Sequence, residues 1–263
     1  MQQPAPEVIA PQNWRAVDFI SDLHLAEDTP RAFAAWASYM EATAADAVFI
    51  LGDLFETWPG DDARHAGFEL RCGEVLRKTA SKRHVAFLAG NRDFLVGAEA
   101  LTDWGVQALT DPTVLVAFNQ RVLLSHGDEL CIADVDYQRV RRMVRNPTWQ
   151  ADVLSKPLPV RRAMAQQMRT QSEAHQRAQL NPESHGFDVD RETALQWLAA
   201  SGAQTLIHGH THRPGDERYT ATLSRTVLSD WDFDHSPAPR AEVLRWQAGA
   251  MSRISPDQAG ALP

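Results

Sequence analysis

Along most of the chain, short unbroken apolar runs alternate with longer stretches in which apolar residues return every three or four positions. The runs Ala16 to Ile20, Ala47 to Leu51 and His84 to Leu88 have the length and the β-branched or aromatic content of buried strands. Between them, the spacing predicts helices over about Arg31 to Thr43 and Phe68 to Thr79. This βαβαβ order implies parallel strands in an α/β layered fold, because parallel neighbours need a helical crossover. After Pro112 the pattern becomes two strands, Thr113 to Phe118 and Arg121 to Ser125, joined by a tight turn at Asn119-Gln120. From about 135 to 185 the alternation stops and helical spacing takes over, which reads as a helical insertion or cap. A helix near Arg191 to Ala200 and strands at Gln204 to Ile207, Thr220 to Leu228 and Ala241 to Trp246 resume the first pattern. The proline-rich residues 1–13 and the final residues 249–263 are expected to be flexible ends of a single domain over 14–248.

Hydrophobic residues fill 44% of the 263 positions, ample for a buried core. The formal charge of -8 argues against a protein that neutralises many nucleic-acid phosphates. That charge is uneven: the insertion sets Arg139, Arg141, Arg142, Arg145, Lys156, Arg161, Arg162, Arg169 and Arg177 against only Asp136, Asp152, Glu173 and Glu183. The remainder is therefore strongly acidic. Cys72 and Cys131 are too few for a disulfide framework or a four-thiolate zinc site, and a reducing cytoplasm suits them. No run approaches the roughly 18 apolar residues of a membrane span, and the N-terminus lacks the pattern of a signal peptide.

Five apolar runs end in groups that bind hard cations: VDFISDLHL, AVFILGDLFE, HVAFLAGNRDF, RVLLSHGDEL and QTLIHGHTHRP. Strand ends are where α/β folds place ligands. The candidate metal donors are Asp22, His24, Asp53, Asn91, His126, His210 and His212, oxygen and imidazole without thiolate. That mixture suits manganese, ferrous iron, cobalt, magnesium or catalytic zinc rather than structural zinc. In Asp22-Leu23-His24 and His210-Thr211-His212 the donors stand two apart, so at an extended strand end both face one side. Glycines beside the donors allow bends and close approach. Each piece alone is an ordinary turn, cap or buried polar group; the five together in one strand-loop setting point to a metal centre.

The ordered series DLH, GDLFE, GNRDF, SHGD and GHTH resembles the calcineurin-like metallophosphoesterases over Asp22 to His212. Within them, ISDLHL, LGDLFE, GNRDFL, LSHGDELC, the basic helical segment and LIHGHTHRP resemble the UDP-2,3-diacylglucosamine diphosphatase family of Gram-negative lipid A biosynthesis. The resemblance implies a four-layer αββα sandwich with a helical cap and two metals, usually manganese. It implies that Asp22, His24 and His212 hold one ion, that Asn91, His126 and His210 hold the other, and that Asp53 bridges them. The implied reaction is water attack on the uridine-side phosphorus of UDP-2,3-diacylglucosamine, giving UMP and the diacylated glucosamine 1-phosphate. Arg92 stands where many relatives carry a general-acid histidine; an arginine stays protonated, so it clamps phosphate, and a phosphate leaving group needs little protonation. Asp93 is expected to orient a metal ligand or Arg92.

The resemblance further implies substrate contacts from Asn91, Arg92, Asp134, Tyr137, Ser172 and His210. The cap would hold the acyl chains and dock on the cytoplasmic face of the inner membrane, with no nucleic acid and no obligate protein partner. One stretch departs from the family: an Asn and a Lys often follow the serine, whereas here Gln176 and Arg177 stand in that region. A soluble phosphoesterase acting on a nucleotide or other small diphosphate is the alternative; it would lack the basic, Met-rich cap. A catalytically dead binding scaffold is a further alternative, but it would have lost donors, and all seven are present.

Overall fold

Strands whose side chains are apolar on both faces must be covered on both faces, and this requirement sets the architecture. The computed structural model describes residues 5–179 and 187–262, of which 171–179 are described as helical backbone alone. In strands β2 (Ala16–Ile20) and β3 (Ala47–Leu51), alternate residues face opposite ways. Val17, Phe19, Phe49 and Leu51 enter one core cluster; Ile20, Val48 and Ile50 enter another.

The first sheet has the order β12-β11-β2-β3-β4-β5, with β4 at His84–Leu88, β5 at Gln107–Leu109, β11 at Val243–Gln247 and β12 at Ala250–Ile254. Its outer face is covered by α1 (Pro30–Ala42), α2 (Gly67–Ala80) and α3 (Ala98–Trp104), whose Trp36, Met40, Leu76 and Trp104 share a core with Ile50 and Phe87. The second sheet has the order β1-β6-β7-β8-β10-β9, from β1 (Glu7–Ile9), β6 (Thr113–Ala117), β7 (Gln120–Leu124), β8 (Thr205–His208), β9 (Gly215–Arg218) and β10 (Ser224–Val227). Helix α7 (Arg191–Ser201) covers it through Ala194, Trp197 and Leu198. Between the sheets, Phe19, Phe49, Leu115, Leu124, Ile207 and Trp246 form the central layer of apolar contact. The layers therefore run α, β, β, α.

Three sequence expectations are corrected. The ends are not free: β1 pairs in parallel with β6 and β12 pairs antiparallel with β11; β1 is only three residues long, and β12 reads Ala-Met-Ser-Arg-Ile, without an unbroken apolar run. The β6–β7 turn is Phe118-Asn119 rather than Asn119-Gln120, since Ala117 pairs with Gln120 and both turn residues have positive φ, 51° and 61°. Phe118 holds that unfavourable backbone while its ring packs edge-on to Trp246 with centroids 5.0 Å apart. The expected strand from Thr220 to Leu228 is the hairpin β9–β10, in which only Ser224–Val227 of that stretch is strand.

The insertion forms α4 (Val135–Val144), α5 (Pro147–Leu154) and α6 (Leu158–Gln179). Much of its positive charge points inward. Arg141 Nε and Nη2 reach Asp128 and Glu129 at 2.9 and 2.8 Å. Arg145 Nη2 donates to the carbonyls of Ala89 and Gly90 at 2.9 and 3.0 Å. Arg161, buried, donates to Asp62 through both Nη atoms and to the Pro59 carbonyl. Arg162 pairs with Glu69 at 2.8 Å.

Candidate metal centre

The loops after β2, β3, β4, β7 and β8 meet at one edge of the paired sheets. The first two are stitched together by backbone: the amides of Asp22, Leu23 and His24 donate to the carbonyls of Gly52 and Asp53. Seven described non-glycine residues have positive φ, and five of them are Asp22, His24, Asp53, His210 and His212. Asp and His tolerate this left-handed region better than most residues. It turns each chain sharply, so the side chains of consecutive loops point at one another. Close approach of the loops needs the glycines: a Cβ on Gly90 would overlap the Asp53 carboxylate, and one on Gly209 the Asp22 carboxylate.

Two sets of donor atoms converge. In the first, His24 Nε2 lies 3.3 Å from His212 Nε2, and His212 Nε2 lies 3.5 Å from Asp22 Oδ1. In the second, Asn91 Oδ1 accepts from His126 Nε2 and from His210 Nδ1, at 2.9 Å each. Asp53 Oδ2 stands between them, 3.9 Å from His24 Nε2 and 3.7 Å from His126 Nε2. Asp53 Oδ1 is occupied, accepting from the Arg92 amide at 2.8 Å. Atoms of Asp22, His24 and His212, and of Asp22, Asp53 and His126, fall within 4.8 Å of one another, as ligands of one ion must. All seven donors expected from the sequence are thus brought to one place.

The outer contacts are those that a metal-binding imidazole needs, a partner for the ring nitrogen facing away from the ion. His24 Nδ1 lies 2.9 Å from Glu56 Oε2, and His126 Nδ1 lies 3.0 Å from the Leu51 carbonyl. Burial lowers the proton affinity of His126, but Asp53, Asp22 and Asp128 outweigh it and raise its pKa to about 9. His210 is pushed down to about 3 by burial and by the His126 charge beside it. Asp93 is fully buried and accepts from the amides of Gly90 and Leu54 at 2.7 and 2.8 Å. Burial and the neighbouring Asp53 charge push its carboxyl up to about 7.

The family model for calcineurin-like phosphoesterases matches residues 16–214, the stretch that contains every one of these loops. The chain belongs to the calcineurin-like phosphoesterase family. It is 44% identical over 227 residues to a UDP-2,3-diacylglucosamine hydrolase of Chromobacterium violaceum, covering 82% of this chain and 90% of the relative. It is 41% identical to the enzyme of that name from Coxiella burnetii, covering 81% and 88%, and 36% identical to one from Stenotrophomonas maltophilia, covering 89% and 98%. Membership of the phosphoesterase family implies a centre of two metal ions, and the oxygen and imidazole donors above fit one.

In this phosphoesterase a cleft of about 310 Å3 opens over the donors, lined by His24, Asp53, Asn91, Arg92, His210 and His212 together with Arg169 of the cap. Behind His210 stands Tyr137, its ring 5.4 Å from that imidazole and its hydroxyl donating to Asp128 at 2.6 Å. Asp134 caps α4 by accepting from the Tyr137 amide at 3.0 Å. Ser172 and Gln176 fall in the part of α6 whose side chains lie outside the described residues. Sequence reasoning assigned no role to Glu56, Asp111, Asp128 or Asp230. Glu56 and Asp128 stood inside the quoted motifs GDLFE and SHGD, a signal that was available. Asp111, which accepts from the His126 amide at 3.1 Å, and Asp230, 3.7 Å from His212 Nδ1, carry no local signature.

Proposed function

We infer that the protein hydrolyses UDP-2,3-diacylglucosamine to UMP and 2,3-diacylglucosamine 1-phosphate in lipid A biosynthesis. The observation that carries this reading is the pair of converging donor sets with Asp53 Oδ2 between them, in a chain 36 to 44% identical to enzymes named for that substrate. Asp22, His24 and His212 would hold one divalent ion and Asn91, His126 and His210 the other, with Asp53 placed to serve both. Manganese suits this mixed oxygen and nitrogen set. Two such ions supply, when bound, a water nucleophilic at neutral pH and charge neutralisation of the diphosphate.

The side chains do the rest. Water attacks the uridine-side phosphorus, its bond to the bridging oxygen breaks, and the sugar phosphate leaves with the electron pair. Arg92, whose backbone is fixed to Asp53, faces the cleft and grips the phosphoryl oxygens; being permanently charged, it stabilises developing charge without moving a proton. Asn91 and His210 orient the phosphate, and Asp134 and Tyr137 bound the sugar side. Asp93 fixes the Asp53 and Asn91 loops relative to each other through their amides.

A second cavity of about 510 Å3 shares Glu56 and Arg169 with the metal cleft; Leu25, Phe55 and Phe68 supply its apolar wall and Glu27, Asp28, Glu69 and Arg162 its charged wall, so an acyl chain beneath the cap would lie along the apolar side. Among the described residues no helix is long and apolar enough to cross a membrane. Exposed Val135 and Met143 share a face of α4 with exposed Arg139 and Arg142, which supports peripheral docking on the anionic cytoplasmic surface of the inner membrane. The test is UMP release from the diacylated substrate in detergent micelles with Mn2+, using UDP-N-acetylglucosamine and Asp53→Ala as controls. Turnover of the lipid alone, lost in Asp53→Ala, is expected. Turnover of soluble nucleotides but not of the lipid would overturn the substrate assignment.

A further inference from the structure

Glu56 lies outside the metal-donor set, yet its carboxylate reaches three separate parts of the site. Its amide donates to the Leu25 carbonyl at 3.1 Å, and Leu25 and Phe55 form a parallel bridge, so its backbone is tied to the loop that carries His24. One carboxylate oxygen, Oε2, is 2.9 Å from His24 Nδ1. The other, Oε1, is 3.5 Å from Arg92 Nη1 and 3.4 Å from Nε of Arg169, which comes from α6 of the cap. The side chain is only 12% exposed, so these charges meet with little water between them.

We propose that Glu56 is a positioning residue that couples metal binding to phosphate capture. Toward His24 its carboxylate stands 2.9 Å from Nδ1 as an ion-pair neighbour, which favours a proton on that nitrogen and so the tautomer that leaves the Nε2 lone pair for a cation. Toward the cleft it gathers Arg92 and Arg169 on a single oxygen at ion-pair rather than hydrogen-bond distance. A guanidinium has five N–H groups, and Arg92 meets Glu56 only at 3.5 Å, so an arriving phosphate can take other donors of Arg92 without first extracting it from a tight pair. Glu56 thus holds a cap arginine and a loop arginine converged at the mouth of the metal site before substrate arrives. This rests on the reading of His24 as a metal ligand and Arg92 as a phosphate clamp.

The experiment is calorimetric titration of Mn2+ into metal-stripped full-length wild type, Glu56→Ala and Glu56→Gln, paired with UMP-release kinetics at saturating Mn2+. Glu56→Ala should bind Mn2+ about 10 to 100-fold more weakly, the usual effect of removing the outer partner of a ligand histidine. Glu56→Gln keeps an acceptor oxygen for His24 but not the charge that gathers the arginines. It should hold Mn2+ more tightly than Glu56→Ala while raising KM as much. Retention of wild-type Mn2+ affinity by Glu56→Ala, or an unchanged KM in Glu56→Gln, would overturn the coupling. If Glu56→Ala fails to fold by circular dichroism, the KM of Glu56→Gln decides alone. A wild type that binds no Mn2+ would overturn this proposal together with the metal centre. A wild type that binds Mn2+ but leaves the lipid substrate intact would overturn only the substrate assignment, and the titration would still judge Glu56.

Discussion

Replacing Gly52 with alanine would test whether the five loops are as tightly packed as the geometry implies. Gly52 directly follows β3 with φ at +89°, and a Cβ there would stand 2.6 Å from His126 Nδ1 and 2.7 and 2.8 Å from the Cα and N of Gly90. Ordinary contact begins at 3.4 Å, and two of the three atoms are backbone, which cannot rotate away. The left-handed conformation costs an L-residue about 1–2 kcal/mol. Overpacking adds about 1–3 kcal/mol, for a total loss of about 2–5 kcal/mol. Gly249 separates the two contributions: its φ is +94°, yet nothing lies within 4 Å of a Cβ built on it. Gly249→Ala should therefore lose only about 1–2 kcal/mol. Urea unfolding of both variants, followed by circular dichroism, measures the difference. The atoms that must yield around Gly52 carry His126 and the approach to Asn91, so Gly52→Ala should also bind Mn2+ more weakly and Gly249→Ala should not. Equal destabilisation of the two variants, or unaltered Mn2+ affinity in Gly52→Ala, would refute the argument that crowding at Gly52 shapes the site.

Arg161→Ala removes the buried guanidinium that ties α6 to Asp62 and Pro59; because Asp62 is largely exposed, the loss should be only about 2 kcal/mol. Its main effect should be a raised KM for the lipid substrate with kcat little changed, and an unaltered KM would show that the cap needs no such tether. Burial raises the Asp188 carboxyl, but the Arg225 guanidinium and the Val189 amide outweigh it and hold it below its ordinary value. A depressed folded pKa gives stability that is present above the unfolded pKa of about 3.9 and is lost as pH falls through the folded value. The stability gap between wild type and Asp188→Asn should accordingly narrow below about pH 4 in acid titrations of the unfolding free energy, and a gap independent of pH would contradict it. Chelation of divalent ions should lower the melting temperature while leaving the far-ultraviolet spectrum folded, since Mn2+ at 100 times its dissociation constant adds only about 2.7 kcal/mol.

The layered order was legible because buried strands with two apolar faces leave an unmistakable run, and β2, β3 and β4 lie where those runs fall. The donor loops were legible for a chemical reason: few other demands put Asp, Asn and His at the ends of five such runs. Short edge strands escaped, since the three residues of β1 offer no period to read. Charge pairing escaped as well. Arg245 interrupts an apolar strand and Asp18 another, and only the β2–β11 pairing reveals that Arg245 Nε meets Asp18 Oδ1 at 2.8 Å, with Thr43 donating to the same carboxylate at 2.7 Å. The cap shows the same limit. Its arginines read as an electropositive surface, yet Arg141, Arg145 and Arg161 are committed to carboxylates and carbonyls of the core. A sequence gives the sign of a residue but not the direction it faces.

That inward commitment explains how the centre is kept in shape. Five candidate ligands with left-handed backbone cost on the order of 1 kcal/mol or more each, which together approaches the net stability of an ordinary domain. Such strain persists only where the surroundings over-determine it. Here the ladder of amides from Asp22, Leu23 and His24 to the Gly52 and Asp53 carbonyls fixes two loops. The Asp93 carboxylate fixes the third through the Gly90 amide, and Arg145 grips the Ala89 and Gly90 carbonyls from the cap. The Asp111 carboxylate and the Leu51 carbonyl hold His126 at its amide and its ring. The folding of the two sheets and the docking of α4 therefore bear the cost of gathering the donors. An arriving cation meets side chains already converged and spends its binding free energy on the ion–ligand bonds rather than on ordering the loops. The cap, on this account, is part of the metal centre's scaffold as well as the roof of its cleft.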